Sequence, residues 1–478
     1  MKHTVIVGFG MAGARVAGEL SSRDSAMRIT VFGAESHAAY NRIMLTHLLD
    51  GKSNEDAIIF PYDAAMADVR LGRAVTRIDR SNMTVTADDG STVRYDALLL
   101  ATGATPYLPP IKGLMDDNGR LGADVVCLRT LEDCRRILRL SRRARKILVL
   151  GGGPLGIEAA CALASQGIEV EILQAADRLM DRHLDATASG ILIRTLRELG
   201  IATRLNALVS EVRRNSGPIV RLADDTEIGG DLLLVACGVQ PNTALAKAAK
   251  LPVNRGIVVD DQLRTADASI YAIGDCAEHA GVVARLVAPA WEQARVVADA
   301  ITGTDPARQY RPVPPVTRLL ATSVDLAVMG ETLTEIDERD EQTEVVQFID
   351  SARGNYKKIA IRDERLIGAT LIGDNPTAGA VIQAFDQRTN LPADRLSLFF
   401  RTNGASPLNG ELPHAPSSQG VICMCNGVTT ASIIDSWSSG ARSLERVIQT
   451  THATTGCGSC RSRVNDILRW MRRRDTVK

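Results

Sequence analysis

Two glycine-rich loops, each directly behind a short apolar strand, constrain this chain more than any other feature. The first lies in "HTVIVGFGMAGARVAGEL". His3 to Val7 reads as a β-branched strand, Gly8, Gly10 and Gly13 give G-x-G-x-x-G, and Ala12 to Leu20 reads as a helix. In such a loop one glycine makes the tight turn, another lets the backbone approach a pyrophosphate, and the third allows close helix–strand packing. The N–H groups at the helix start, around Met11 and Ala12, favour an anion. A second strand, "RITVF", leads to Glu35, where a ribose-binding acid is expected. The pattern recurs in "KILVLGGGPLGIEAACALASQG", with Ile147 to Leu150 as strand and Gly151, Gly153 and Gly156 as loop. Pro154 precedes a helix that begins near Leu155; the strand "VEILQ" follows, with Gln174 in the place of the acid. Two such loops, 143 residues apart from Gly8 to Gly151, predict two bound dinucleotides.

The natural pairing is a flavin that stays bound and a nicotinamide that comes and goes. At 478 residues the chain exceeds one compact core, and its 45% apolar and 23% charged content is that of a soluble globular protein. Its 56 basic and 56 acidic residues cancel, which gives no global field for nucleic acid or an anionic membrane. No apolar run approaches the roughly 20 residues of a membrane span. The first motif begins within ten residues of Met1, where a signal peptide would lie. Nine cysteines are too few, and odd in number, for a secreted disulfide scaffold, so a reducing cytoplasm is expected. Cys127, Cys134, Cys161, Cys237 and Cys276 are scattered and read as small buried apolar residues.

Three further segments, "ALLLATGATPYLPPIKG", "LLLVACGVQPNTALA" and "ASIYAIGDCAE", come in order with the two loops. Together they resemble the pyridine-nucleotide-dependent FAD reductases of glutathione-reductase fold. The resemblance implies that Ala101, Thr102 and Gly103 carry the chain out of the FAD domain and that Gly274 and Asp275 meet the ribityl chain of FAD. It also places Gly238 on the nicotinamide side. The expected fold class is α/β, with two Rossmann-like dinucleotide-binding domains, a small α+β domain and a small helical domain. The FAD domain is expected to be discontinuous, residues 1–113 plus 245–320, around an NAD(P)H domain of residues 114–244.

Disulfide reductases of this fold carry a cysteine pair beside the flavin, and related peroxidases and oxidases a single one; here no cysteine precedes Cys127. The corresponding stretch, "AAYNRIMLTHLLDGKS", instead resembles the Y-x-R-x-x-L-S segment of rubredoxin-type and nitrite reductases. Tyr40, Arg42 and Leu45 match, and Thr46 stands where Ser is usual. The resemblance makes Arg42 an FAD contact. Relatives place a Lys next, paired near the flavin with a Glu of the second glycine helix. Here these positions hold His47 and Glu158, expected to flank the isoalloxazine, with the carboxylate holding the imidazole cationic. The alternative is a surface histidine at a helix start. Ala175, Ala176 and Asp177 after Gln174 do not welcome a 2′-phosphate, which favours NADH.

Four more cysteines close the chain in a C-x-C, x31, C-x2-C pattern: Cys423, Cys425, Cys457 and Cys460. Four thiolates suit structural Zn²⁺ or an iron–sulfur cluster. "ICMCNGVT" and "TGCGSC" resemble the [2Fe–2S] domain of bacterioferritin-associated ferredoxin, which implies a cluster held by those four thiolates. The spacer reads as two short helices, and a third begins at the second thiol pair. Residues 420–478 are thus expected to bind [2Fe–2S], residues 401–419 to form a linker rich in Gly, Pro, Ser and Asn, and residues 321–400 to form the α+β interface domain. Arg472, Arg473 and Arg474 suit either an acidic partner or a helix end whose cations complement the dipole.

Over nearly its whole length the chain resembles the electron-transfer subunits of bacterial assimilatory nitrate reductases and the reductase part of assimilatory nitrite reductases. That resemblance implies electron flow from NADH through FAD and [2Fe–2S] to a separate molybdopterin nitrate reductase. With the chain stopping at Lys478, no second cluster or sirohaem module is expected. Two alternatives remain open at this point. One is a reductase for a nitrite reductase, a rubredoxin or a monooxygenase; the other is a regulatory flavoprotein with a zinc knuckle.

Overall fold

The computed structural model describes residues 2–51, 53–60, 67–214, 217–312, 316–319, 321, 324–330, 342–373, 377–400, 421–423, 426–454 and 460–476. Its contacts divide the chain into two compact units. The first comprises 1–42, 54–106 and 239–313, and the second 43–53, 107–238 and 314–478.

The first unit is built on a parallel sheet. Strand β1 (His3–Val7) lies centrally, flanked by β2 (Arg28–Gly33) and then Asp68–Leu71 on one side, and by Ala97–Leu100 and then Ile270–Ala272 on the other. Val5, Ile6, Leu98, Leu99 and Leu100 are fully buried, as expected of a sheet covered on both faces. Helix α1 (Met11–Arg23) buries Gly13, Val16, Ala17 and Leu20, one stripe at helical spacing, and packs on the helix Val287–Thr302. Arg23 ties the two helices through Asp299 at 2.5 Å.

The second unit repeats the plan. Helix α2 (Leu45–Leu49) packs on α3 (Leu131–Ser141), which Thr130 and Asp133 start with a reciprocal capping box. Strands β3 (Lys146–Leu150) and β4 (Glu169–Leu173) are parallel neighbours, with Ile201–Arg204 outside β4, and Leu232–Val235 and Val125–Cys127 outside β3. Helix α4 (Pro154–Ala164) joins β3 to β4 and also packs on α2.

Residues beyond 316 form an antiparallel sheet, in the order Val316–Leu319, Leu326–Gly330, Arg365–Ile372, Asn355–Arg362, Glu344–Asp350, covered by α5 (Ala378–Gln387). The C-terminal module pairs Val421–Cys423 with Val428–Thr429 and continues through α6 (Thr430–Ser438), α7 (Leu444–Thr451) and α8 (Arg461–Thr476). Thr429 and Ser443 cap α6 and α7 with their hydroxyls. Ile433, Val447 and Val464 are fully buried in its core, and Trp437 sits among them with its indole N–H on Asp475 at 2.9 Å. The expected linker at 401–419 lies outside the described residues. Among the described residues no helix is long and apolar enough to cross a membrane.

Candidate functional site

The two glycine loops have one construction. At Gly8 a Cβ would come within 2.2 Å of the Ala101 carbonyl oxygen, and at Gly13 within 1.9 Å of the Gly8 carbonyl oxygen. In the second loop the corresponding distances are 2.5 Å from Gly151 to Ala236 O and 2.0 Å from Gly156 to Gly151 O. Backbone meets backbone, so no side chain fits at these points. The middle glycines differ: around Gly153 there is open space, and at Gly10 only the Arg42 guanidinium lies near, at 3.8 Å. Gly10 and Gly153 are the N-caps of α1 and α4, and neither helix has a side-chain cap or an acidic residue in its first turn. Each helix start, at Met11 and Ala12 or at Pro154, therefore presents a positive end with room in front of it, which fits a pyrophosphate.

Around the first loop, Glu35 accepts a hydrogen bond from the Tyr40 hydroxyl at 2.7 Å and is paired with Arg42. The Arg42 guanidinium lies 5.0 Å from the centre of the Tyr40 ring. Thr102 donates its hydroxyl to Asn242 O at 2.7 Å, and Asn242 N–H donates to Gly103 O at 2.9 Å. These bonds join the strand leaving the unit, Ala104–Pro106, to the strand returning to it, Val239–Pro241. The N–H of Gly274 donates to the buried side-chain oxygen of Gln293 at 2.7 Å, and Asp275 sits in the short 3₁₀ turn that Gly274 opens.

In the second unit, Gln174 is 8% exposed and turned into its own loop. Its oxygen accepts Gly152 N–H at 2.8 Å, and its nitrogen donates to Arg178 O and an Asp181 carboxylate oxygen, both at 3.3 Å. Arg178 pairs with the neighbouring Asp177 at 3.3 Å. Gly238 has φ +105 and open space around it, and its carbonyl accepts Tyr107 N–H.

His47 on α2 and Glu158 on α4 sit on helices in direct contact. Glu158 is 9% exposed. No hydrogen bond joins it to His47 Nε2, which is buried without a hydrogen-bond partner, as is the adjacent Thr46 Oγ1. Two orphaned polar atoms in succession leave unmet hydrogen-bonding capacity, costly unless a ligand meets it.

Of the four terminal cysteines, Cys425 and Cys457 lie outside the described residues. Cys423 and Cys460 are 2% and 3% exposed in one core, and α8 starts immediately after Cys460. A helix N-terminus beside a cysteine would favour a thiolate and an anionic group bound to it. Among the other cysteines, burial pushes the thiols of Cys127 and Cys161 up to about 12 and that of Cys237 to about 11. Such thiols stay protonated and inert, as packing residues should.

Tyr40 and Gln293, both in direct contact with expected site residues, were missed as site residues. A lone glutamine on the apolar face of "VAPAWEQARVVADAIT" is the signal that marks Gln293.

Comparison with known proteins agrees with this geometry. Residues 2–296 match the pyridine nucleotide-disulphide oxidoreductase family, residues 315–389 the rubredoxin NAD+ reductase C-terminal domain, and residues 421–470 the BFD-like [2Fe-2S] binding domain. The nitrite reductase [NAD(P)H] of Bacillus subtilis (strain 168) is 34% identical over 98% of this chain and 57% of its own length. The assimilatory nitrate reductase electron transfer subunit of the same organism is 33% identical over 100% of this chain and 61% of its own. The chain thus spans about three-fifths of the length of these two relatives. The covalent putidaredoxin reductase–putidaredoxin complex superposes with a TM-score of 0.71 at 25% identity, covering 84% of this chain and 96% of that one.

Two nucleotide loops on twin parallel sheets, followed by a small cysteine-bearing module, are the architecture of an NAD(P)H-dependent flavin reductase. The chain belongs to the pyridine nucleotide-disulphide oxidoreductase family. It is a FAD-dependent oxidoreductase that uses NAD(P)H and carries a C-terminal [2Fe–2S]-binding domain.

Proposed function

We propose that this protein draws electrons from NADH and delivers them singly, through its C-terminal module, to a separate molybdopterin nitrate reductase in the cytoplasm. The observation that carries this reading is the alignment of the whole chain, module included, with a relative named as an electron transfer subunit of assimilatory nitrate reductase. The alignment with a nitrite reductase [NAD(P)H] favours a second reading, in which the same electrons serve nitrite reduction.

In this reading Gly151, Gly153, Pro154 and Gly156 hold the nicotinamide nucleotide at the start of α4, with Gln174 and Gly238 beside them. Gly8, Gly10, Met11, Ala12, Gly13, Glu35, Arg42, Ala101, Thr102, Gly103, Gly274 and Asp275 hold FAD. FAD supplies the chemistry that accepts a hydride and releases electrons one at a time. The chain contributes position and charge: α4 orients the nucleotide, and His47 Nε2 and Thr46 Oγ1 offer the unmet hydrogen bonds that steady negative charge on the reduced ring. Cys423, Cys425, Cys457 and Cys460 hold the cluster.

The test is an anaerobic titration of the purified protein with NADH, followed by optical absorbance, low-temperature EPR and iron analysis. Flavin bleaching with a rhombic EPR signal, lost in Cys423→Ser or Cys457→Ser while flavin content stays constant, is the expected result. Zinc in place of iron would refute the one-electron outlet. Adding a nitrate or a nitrite reductase as acceptor separates the two readings by which one reoxidises the cluster.

A further inference from the structure

The stretch after Arg42 has two attachments. Helix α2 is held by the second dinucleotide domain: the Cys134 thiol donates to Leu45 O at 3.6 Å, and the Gln166 amide donates to Leu49 O. Ile43, two residues before α2, packs elsewhere. It lies half-buried against the core that contains Ile422, Cys423, Cys460 and Val464. Among the described residues, it is the one contributor to that core from outside the C-terminal module.

A second link is electrostatic. Arg463, three residues past Cys460, is half-buried; burial lowers its pKa, and the nearby Asp386 carboxylate on α5 opposes that. The module is therefore touched by an aliphatic side chain from the His47 segment and lies within electrostatic reach of an acid on α5, the helix covering the antiparallel sheet. Among the described residues these are one apolar contact and one charge within electrostatic reach, the second weakened by salt.

We propose that Ile43 is the docking contact that seats the cluster-binding module on the His47 segment, and that this seated position is the one in which the module receives electrons. The proposal rests on the electron-transfer reading above. The overall reaction is NADH + 2 acceptor(oxidised) → NAD⁺ + 2 acceptor(reduced) + H⁺. One hydride carries two electrons in, two one-electron acceptors take them out, and one proton is released. Ile43 acts only on the internal hand-over, so hydride removal from NADH does not depend on it. Under this proposal the module leaves the Ile43 seat for its acceptor between electrons.

The experiment uses the full chain with its cofactors and the variants Ile43→Asp, Asp386→Arg and Asp386→Arg/Arg463→Asp. NADH–ferricyanide turnover, which draws on the flavin directly, is expected to stay within about twofold of the parent, since neither contact takes part in hydride transfer. Cluster reduction after mixing with NADH, followed by stopped-flow absorbance, should slow about tenfold or more in Ile43→Asp, because a buried carboxylate opposes docking. Small-angle scattering of the same sample should show a larger radius of gyration. Asp386→Arg should slow the hand-over at low salt, and the charge-swapped pair should restore it. Parent rates and parent scattering in both Ile43→Asp and Asp386→Arg would overturn the docking contact. Should the parent protein itself pass no electrons from NADH to the cluster, the electron-transfer reading fails, and with it the receiving role. The scattering comparison then still decides the contact alone.

Discussion

The side-chain oxygen of Gln174 accepts the amide N–H of Gly152 at 2.8 Å, so the residue in the ribose-acid position is spent on shaping its own nucleotide loop. A carboxylate there would keep that acceptor. Its second oxygen, however, would face two acceptors, the Arg178 carbonyl and the Asp181 carboxylate, where the amide nitrogen now donates. Gln174→Glu should therefore push a negative charge outward, toward the nucleotide. We expect kcat/KM for NADPH to fall about tenfold relative to NADH, equivalent to ~1.4 kcal/mol of selective repulsion of the 2′-phosphate. An unchanged ratio in steady-state assays would show that Gln174 does not discriminate.

The middle and last glycines of the second loop should fail in different ways. Gly156→Ala forces a methyl group to within 2.0 Å of the Gly151 carbonyl oxygen, and should destabilise the chain by about 2 kcal/mol or more. Gly153→Ala meets nothing within 4 Å. It should keep the parent melting temperature and weaken nucleotide binding, because the methyl group enters the space the pyrophosphate would use. Thermal melts beside nicotinamide titrations separate the two effects.

His47 can be tested through its orphaned nitrogen. His47→Phe fills similar volume and removes Nε2. The rate of flavin reduction by NADH, measured by stopped flow, should drop about tenfold, the cost of one lost charge-stabilising donor. Flavin content should be unchanged. A parent rate would return His47 to the role of a packing residue.

Mild acid should loosen the fold. Burial pushes the pKa of His183 below its ordinary 6.5; nearby Asp181 opposes this and Arg182 adds to it. Burial lowers that of His3 as well. With folded pKa values depressed, the unfolded chain binds more protons near pH 6. The contribution is therefore whole above 6.5 and is lost as pH falls through 6.5 toward the folded values. Melting temperatures taken between about pH 7.5 and about pH 5.5 should decline, and His183→Gln should flatten the decline.

Both loops could be read from sequence because their glycines answer a backbone demand that no other residue meets. At Gly8 and Gly13, as at Gly151 and Gly156, a carbonyl oxygen leaves no room for a Cβ. The strands behind them were equally plain, since buried parallel strands write themselves as unbroken apolar runs. The partners of α2 were not legible. "NRIMLTHLL" has no period that separates the residues of α2 that meet α3 and α4 from Ile43, which meets the C-terminal core, and both contacts are remote in sequence. Nor could sequence say that Gln174 turns inward, because one glutamine can serve a ribose or a backbone amide equally well.

The path of the chain has a consequence for how such proteins can be recombined. It runs through six stretches, 1–42, 43–53, 54–106, 107–238, 239–313 and 314–478, and so passes between its two units five times. No single cut frees either dinucleotide-binding part; each would take a strand or helix of the other with it. The C-terminal module, by contrast, hangs on one continuous stretch and can be exchanged as a cassette. On the docking contact proposed above, an incoming module must offer an apolar seat for Ile43.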